Sequence, residues 1–247
     1  MPTVTPKCCG SLTMDHGVLV LDRMGEQTEA PSNVFLIEAA ETILVDTSFG
    51  DPALMAERHP GFDCHRTPDQ TLTAVLDSEG YTPADVDSVV LSHLDWDHCY
   101  SLDLFDDDTT VYVSRRELAY AVAPHAMHAA RYEAKSLGRE PPWLRTDLTP
   151  LEGETELCPG VTAFPTPGHT VGHVSLAVDT DAGTTVVAAD AVATYDNLGG
   201  DETPFRRGLA MDDLAWWESA GEVRDRADEL LPGHEWAIVD AEPAGLV

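Results

Sequence analysis

The stretch Ser92-His93-Leu94-Asp95-Trp96-Asp97-His98 directly follows the apolar run Ser88-Val89-Val90-Leu91. An apolar run of this kind predicts a buried β-strand, so the residues after it form a loop at a strand end. This loop carries four potential metal ligands: His93, Asp95, Asp97 and His98. Imidazole and carboxylate groups together suit zinc, iron or manganese. The pattern therefore predicts a metal site at the end of this strand.

Three more potential ligands follow predicted strands further along the chain. His169 lies in a loop rich in Pro and Gly, Asp190 follows an apolar run, and His234 follows a Pro-Gly pair. Pro and Gly restrict the backbone of a loop and can hold one imidazole in place. Asp46 also ends a predicted strand, where it is either a turn former or a carboxylate that orients a ligand histidine. We expect these side chains to converge on the 93–98 loop.

Predicted strands and helices alternate along the chain. Short apolar or β-branched segments predict an antiparallel meander near the N-terminus. Capping patterns and apolar periodicity predict the helices. The predicted strands of the meander are 17–22, 33–38 and 42–46. The predicted helices are about 68–79, 114–137 and 212–228. A Ser114–Glu117 capping box opens the second of these helices, and Pro124 breaks it. No internal repeat or linker is visible, so we expect one α/β domain spanning residues 1–247.

The charge of the chain is extreme. Forty-four acidic residues face fourteen basic ones, which gives a formal net charge of -30, and only Lys7 and Lys135 are lysines. Such a chain repels nucleic acid and anionic membranes, so neither is an expected partner. Molar salt screens charges beyond about 3 Å. We therefore expect a salt-accumulating, halophilic host. Because Met1 to His16 lacks the apolar run of a signal peptide, we expect the cytoplasm.

The five cysteines form an odd set without a repeated CxxC spacing. A disulfide framework is not expected in a cytosolic chain of this size. Cys99 follows His98 directly, so it is either a small buried residue or a neighbour of the metal.

In the order and spacing of these ligands the chain resembles the metallo-β-lactamase superfamily, whose pattern is HxHxDH followed by a separate His, Asp and His. The likeness runs from Val45-Asp46-Thr47-Ser48 to Gly233-His234, and it is greatest to the N-acyl-homoserine-lactone lactonase branch. The resemblance implies a four-layer αβ/βα sandwich with two metal ions at one edge between the sheets. It assigns the first ion to His93, Asp95 and His169, the second ion to Asp97, His98 and His234, and the bridging position to Asp190.

The implied activity is hydrolysis of a lactone or other carboxylic ester, a small-molecule substrate, by a hydroxide shared between two divalent ions. Asp97 would transfer the proton to the leaving group. Zinc is the expected ion, with iron, manganese or cobalt as alternatives, because the harder ligand Asp95 replaces the middle histidine of the family. The lactonase tyrosine is Ala193 here, which leaves Tyr195 or Tyr100 as candidates for its role.

Two other functions remain open on the sequence. Flavodiiron proteins of the same superfamily also carry an acidic residue where Asp95 stands, which indicates a di-iron oxidoreductase lacking its flavin domain. A non-catalytic metal-binding homologue is the other alternative. The sequence contains no signal for an oligomeric state.

Overall fold

The computed structural model describes residues 1–199, 205–241 and 243. Seven strands form a first mixed sheet. They are β1 (Thr3–Asp15), β2 (Gln27–Glu38), β3 (Thr42–Val45), β4 (Phe62–His65), β5 (Ser88–Leu91), β6 (Thr110–Ser114) and β7 (Leu148–Leu151). Their order in the sheet is β4-β1-β2-β3-β5-β6-β7. The first three strands pair antiparallel, as the predicted meander requires, and β3, β5, β6 and β7 pair parallel.

Five strands form the second sheet. They are β8 (Thr155–Cys158), β9 (Val161–Pro165), β10 (Val174–Thr180), β11 (Gly183–Ala189) and β12 (Glu229–Pro232). Their order is β12-β11-β10-β9-β8, and only the β11–β12 pair of these described strands is parallel.

In the described part of the chain, α-helices cover the outer faces or the sheet ends. They are α1 (Pro52–Arg58), α2 (Leu72–Ser78), α3 (Arg115–Ala121) and α4 (Asp213–Arg226). The predicted helices at 68–79 and 212–228 are confirmed, although the first begins as a separate 3-10 turn, Pro68–Gln70. Within the described ranges, no helix has the length and apolar character needed to cross a membrane.

The core is divided into separate clusters because both faces of each sheet are buried. On β2, Phe35 and Ile37 point into the core between the sheets, whereas Val34 and Leu36 point into the core under α2 and α3. Successive side chains of a strand alternate between its two faces. Another cluster packs Trp216 and other α4 residues against the outer face of the second sheet. The layers are therefore helix, sheet, sheet and helix, which confirms the predicted four-layer αβ/βα sandwich.

Two of the predicted strand and helix segments are wrong. Residues 17–22 form 3-10 turns rather than a strand, because the long strand β1 ends just before them at Asp15. Between Val122 and Leu137 the chain forms turns, and its only helical piece is the 3-10 turn Lys135–Leu137.

The expected capping box at Ser114 is also absent. The Ser114 side chain makes no capping bond, and Glu117 is fully buried. Its carboxylate instead accepts hydrogen bonds from the backbone amides of Leu94 and Gly172, at 3.1 and 3.0 Å, and from the Tyr132 hydroxyl at 3.0 Å. Glu117 thus ties the 93–98 loop to the 165–173 loop.

The parallel strand pairs determine where the candidate ligands lie. β3 and β5 are neighbours in the first sheet, and β11 and β12 are neighbours in the second. Parallel neighbours end at the same edge of a sheet. Asp46 and the 93–98 loop therefore leave the first sheet together, and Asp190 and His234 leave the second sheet together.

Candidate metal centre

The side chains that the sequence indicates as ligands converge at one edge of the two sheets. Potential ligand atoms lie within 4.8 Å of one another in three overlapping groups: His93, Asp95 and His169; His93, His98 and Asp190; and Asp97, His98 and His234. Most of these residues are buried, and Asp97 and His169 are partly buried. The expected convergence on the 93–98 loop is confirmed.

Three of the histidines are oriented by acceptors at their Nδ1 atoms. His98 Nδ1 lies 2.8 Å from Asp46 Oδ2, His234 Nδ1 lies 2.8 Å from the Pro31 carbonyl oxygen, and His93 Nδ1 lies 2.9 Å from Ser92 Oγ. Nδ1 therefore carries the proton, and the Nε2 lone pair points into the centre.

Asp46 accepts three hydrogen bonds in this network. Besides His98, the backbone amide of Ser92 at 2.8 Å and the Ser92 hydroxyl at 2.7 Å donate to it. Its backbone has a φ of 63°, and Ala189, just before Asp190, has a φ of 45°. Left-handed backbone at residues other than Gly costs on the order of 1–3 kcal/mol and accumulates at functional sites.

The Asp46→Asn variant is expected to bind a divalent ion about 10- to 100-fold more weakly. The neutral amide oxygen of Asn accepts the hydrogen bond from His98 Nδ1 more weakly than the charged carboxylate does. Asn tolerates the left-handed backbone of this position, so the fold is expected to persist. Isothermal titration of the metal-free protein measures the change. Asp87→Asn is the control, since Asp87 also accepts a backbone amide, from Thr42, but far from the centre. Equal affinities in both variants would contradict the role of Asp46.

Several atoms of the centre lack any partner in the described part of the chain. His93 Nε2, His98 Nε2 and Asp190 Oδ1 are buried without a hydrogen bond, and His234 Nε2 lies 3.2 Å from Asp190 Oδ1. Unprotonated nitrogens and carboxylate oxygens that face one another in a buried site repel unless a cation lies between them. The group formed by His98, His234, Asp97 and Asp190 therefore fits a divalent metal ion.

The charges around His98 lead to the same conclusion. Burial opposes the charged imidazolium, but Asp190, Asp97 and Asp46 together raise the pKa of His98 to about 10. This part of the centre favours a positive charge at the position of His98 Nε2.

The other group, His93, Asp95 and His169, contains a cation of the protein itself. Arg131 Nη2 lies 2.5 Å from Asp95 Oδ2 and 2.8 Å from His169 Nε2. Burial opposes ionisation of Asp95, but the Arg131 guanidinium, together with the neighbouring His169 and His93 rings, holds the pKa of Asp95 well below its usual range. Burial lowers the pKa of His169, and the positive charge of Arg131 lowers it further, although Asp190 acts in the opposite direction. The His169 ring is therefore neutral. This group does not fit a metal ion while Arg131 is in place.

Neighbouring residues position Asp190 and His169. His173 accepts the Asp190 backbone amide at Nε2, at 3.1 Å, and its Nδ1 lies 2.8 Å from Thr166 Oγ1. Gly168 precedes His169 with a φ of 134°, and a Cβ there would lie 2.2 Å from the Trp216 backbone nitrogen. Only glycine fits between this loop and α4.

The Gly168→Ala variant is expected to lose about 3 kcal/mol or more of its free energy of unfolding, from the clash with α4 and from the positive φ. Gly80→Ala is the matched control, because Gly80 has a φ of 83° but a Cβ added there would meet no atom within 4 Å. The loss of unfolding free energy in Gly80→Ala therefore measures only the cost of the positive φ, about 1–2 kcal/mol. Denaturant unfolding at constant KCl measures both variants. Equal losses would show that the contact with Trp216 is not limiting.

The tyrosine candidates do not face the centre. Tyr195 begins the 3-10 turn Tyr195–Leu198 rather than an extended segment, and its hydroxyl donates to the Leu230 carbonyl at 2.9 Å on the exposed surface. The extended segment that would let Tyr195 face the centre is therefore not formed. The Tyr100 hydroxyl is bound by Arg58 and Glu133, each at 3.0 Å. Cys99 is buried and its thiol donates to the Asp95 carbonyl at 3.3 Å, which fits a packing role.

A cavity of about 190 Å³ leads to the centre. Asp95, Asp97, Arg131, His169, Asp190 and His234 lie at its polar end, and its apolar wall is formed by Met14, Val18, Leu19, Phe62 and Trp96. Met14, Val18 and Leu19, which the N-terminal part of the chain contributes to this wall, belong to no sequence motif, so the sequence did not indicate them. Arg131 was also missed, although the additional buried acid Asp95 was a signal that a counter-charge was needed.

The chain has the architecture of metallohydrolase-like proteins: a four-layer αβ/βα sandwich, with histidines and aspartates clustered at the edge between its sheets. The chain belongs to the metallo-beta-lactamase superfamily, whose family model matches residues 28–234.

Its relatives include N-acyl homoserine lactonases. One from Bacillus cereus is 30% identical over 212 residues, which cover 76% of this chain and 78% of that protein. One from Azorhizobium caulinodans, AttM, is 27% identical over 237 residues, or 89% and 88% of the two chains. Among solved structures, an N-acyl homoserine lactone hydrolase with N-hexanoyl-L-homoserine bound at its catalytic metal centre superposes with a TM-score of 0.76 at 24% identity, covering 95% and 93% of the chains. At that identity the likeness concerns the fold.

Proposed function

We propose that this protein is a metal-dependent hydrolase that opens a lactone or a similar carboxylic ester. The observation that carries the proposal is the set of unpaired buried acceptors at the end of an apolar cavity, in a chain 30% identical to an N-acyl homoserine lactonase. His98, His234, Asp97 and Asp190 would hold the ion. When bound, a divalent ion polarises a carbonyl and makes water a nucleophile at neutral pH. Zinc is the proposed ion, on the basis of its ligand set.

The residues of the chain have separate tasks in this reaction. His98 and His234 are held by Asp46 and the Pro31 carbonyl, so their rings are oriented before any ligand arrives. Asp97, whose side chain is 15% exposed and lines the cavity, is the acid-base group. Its carboxylate takes a proton from the attacking water and returns it to the leaving alkoxide oxygen. Cleavage of the ester bond then yields a hydroxy acid.

The apolar wall indicates which part of the substrate it binds. Trp96 stacks on His59 with ring centroids 4.2 Å apart and meets Phe62 edge to face at 5.4 Å, which makes this wall rigid. Such a surface binds an acyl chain by removing it from water, at roughly 0.8 kcal/mol per buried CH₂ group. We propose that the lactone lies at the polar end and that its acyl chain lies along Met14 and Leu19.

A panel of lactones and esters tests this function. Protein stripped by a chelator and then reloaded with zinc is assayed for proton release with acyl-homoserine lactones of increasing chain length and with simple aryl esters. Hydrolysis that depends on the metal, and improves with acyl length, is expected. A fully loaded protein that opens none of these substrates would contradict the proposal.

The oxidoreductase alternative loses its main support. It depended on the additional carboxylate of Asp95, and Arg131 accounts for that charge as an ion pair. Hydrolysis is therefore the function that the centre supports best.

We also propose that the protein works in the salt-rich cytoplasm of a halophile, because of its charge of -30. The expected result is unfolding in dilute buffer and recovery of structure at molar KCl, where the screening length is about 3 Å. Circular dichroism during a KCl titration measures this. Equal melting temperatures at low and high salt would contradict it.

A further inference from the structure

The guanidinium of Arg131 lies among the ligands that the family pattern assigns to a first metal ion. Its Nε lies 3.0 Å from both carboxylate oxygens of Asp95, and its Nη2 lies 2.5 Å from Oδ2. The same Nη2 is 2.8 Å from His169 Nε2. The contact with Asp95 is the two-nitrogen arrangement that makes arginine–carboxylate pairs strong and directional.

The proton positions show that His169 has no lone pair left for a metal. Its Nδ1 lies 2.9 Å from the Leu209 carbonyl oxygen, which can only accept, so Nδ1 carries the ring proton. Nε2 is then the acceptor, and it receives the Nη2 hydrogen of Arg131. An imidazole nitrogen has a single lone pair, which cannot bind a metal and accept this hydrogen bond together.

The group around His98 is in the opposite state. His98 Nε2 and Asp190 Oδ1 are buried without a hydrogen-bond partner among the described residues. His93 Nε2 is also unpartnered, and it lies within 4.8 Å of ligand atoms of both. One part of the centre is therefore satisfied by the protein, and the other part still requires a cation.

Arg131 is held in this position by its own backbone and by its neighbours. Its carbonyl accepts the Trp96 backbone amide at 2.9 Å, which joins it to the ligand loop. The next residue, Tyr132, is buried and donates to Glu117. The residue after that, Glu133, is fully buried and binds Arg58, His59 and Arg139. The guanidinium is thus presented by a fixed segment rather than by a mobile loop.

From this arrangement we propose that Arg131 permanently replaces the first metal ion and that the chain holds one divalent ion, at His98, His234, Asp97 and Asp190. Asp95 and Arg131 form a neutral pair, so the carboxylate that departs from the family pattern and the arginine compensate each other. The proposal rests on the proposed metal-dependent function. It replaces the dinuclear centre that the family resemblance implies with a mononuclear one.

Metal titration of the full-length protein tests the inference without an activity assay. The chain is purified in molar KCl, stripped with a chelator, and titrated with Co²⁺ while its visible absorption is followed. The wild type is expected to saturate at one equivalent, and Arg131→Ala at two. With Mn²⁺, electron paramagnetic resonance is expected to show an isolated ion in the wild type and a coupled pair in the variant.

Two further variants keep the result interpretable. Arg145→Ala removes another guanidinium, in an exposed ion pair with Glu140, and is expected to stay at one equivalent. Asp95→His combined with Arg131→Ala recreates the family motif without leaving Asp95 unpaired. This double variant is expected to bind two equivalents even if Arg131→Ala alone fails to fold.

The outcomes separate the inference from the proposed function. Two equivalents of similar affinity in the wild type, or one in the folded double variant, would overturn the mononuclear assignment. A wild type that binds one ion but opens no ester would overturn the function and leave the assignment intact. A wild type that binds no ion would overturn both.

Discussion

The Asp97→Asn variant is expected to keep its metal and to lose about 100- to 10,000-fold in kcat for lactone or ester hydrolysis. Asn retains a side-chain oxygen that can act as a ligand, but it cannot take up and release a proton. Asp97 Oδ2 lies 3.8 and 3.9 Å from the Nε2 atoms of His98 and His234, at the open end of the centre. It is the carboxylate best placed to reach both the metal and the substrate.

Steady-state kinetics and metal analysis of the same preparation measure this effect. Asp63→Asn is the control, because Asp63 is an exposed aspartate outside the centre that contacts only His65 among the ion pairs of the described chain. Its activity is expected to be unchanged. An Asp97→Asn protein that is fully loaded and fully active would contradict the acid-base role, whereas loss of the metal would reassign Asp97 to ligation alone.

Removal of the metal is expected to lower the free energy of unfolding by about 4 kcal/mol, relative to protein held at a free-metal concentration about a thousand times its Kd. For a chain of this size the melting temperature is expected to fall by roughly 10 °C. The reason is the repulsion among buried acceptors. Asp190 Oδ1, His98 Nε2 and His234 Nε2 face one another, and a cation bound between them relieves the unfavourable contacts.

Calorimetry with and without a chelator, at constant molar KCl, measures the shift, and re-addition of metal must reverse it. The Asp190→Ala variant is the control, because it removes a central ligand and is expected to melt at the same temperature in both conditions. Identical melting of wild-type protein with and without chelator would show that the centre does not need an ion for stability.

Regular periodicity explains which parts of the fold were predictable. β5 is buried on both faces, so Ser88–Leu91 has the continuous apolar pattern of a central strand. The helix α4 has a clear cap at Asp212, whose side chain accepts from the amides of Leu214 and Ala215. By contrast, the segment after α3 was predicted as the continuation of a helix opened by a capping box at Ser114, but its residues are held by long-range contacts such as Glu133 with Arg58.

Side-chain direction was the least predictable feature. Glu117 has the spacing of a capping residue, yet it turns inward and accepts bonds from loops distant in sequence. Tyr195 stands near the position of a lactonase tyrosine, yet a 3-10 turn directs its hydroxyl to the Leu230 carbonyl. In both cases a local pattern competes with tertiary hydrogen bonds. For Glu117 the tertiary bonds prevail because a buried carboxylate must be satisfied.

The order of residues alone was enough to establish the superfamily, the four layers and the convergence of His93, His98, His169, Asp190 and His234, because strand periodicity and strand-end loops are local properties of the chain. The fate of Asp95 was decided only by folding. A buried carboxylate needs a positive charge, and either a metal ion or any of twelve arginines could supply it. The backbone hydrogen bond from Trp96 to the Arg131 carbonyl places one of these arginines beside Asp95. No local sequence pattern predicts which arginine it is.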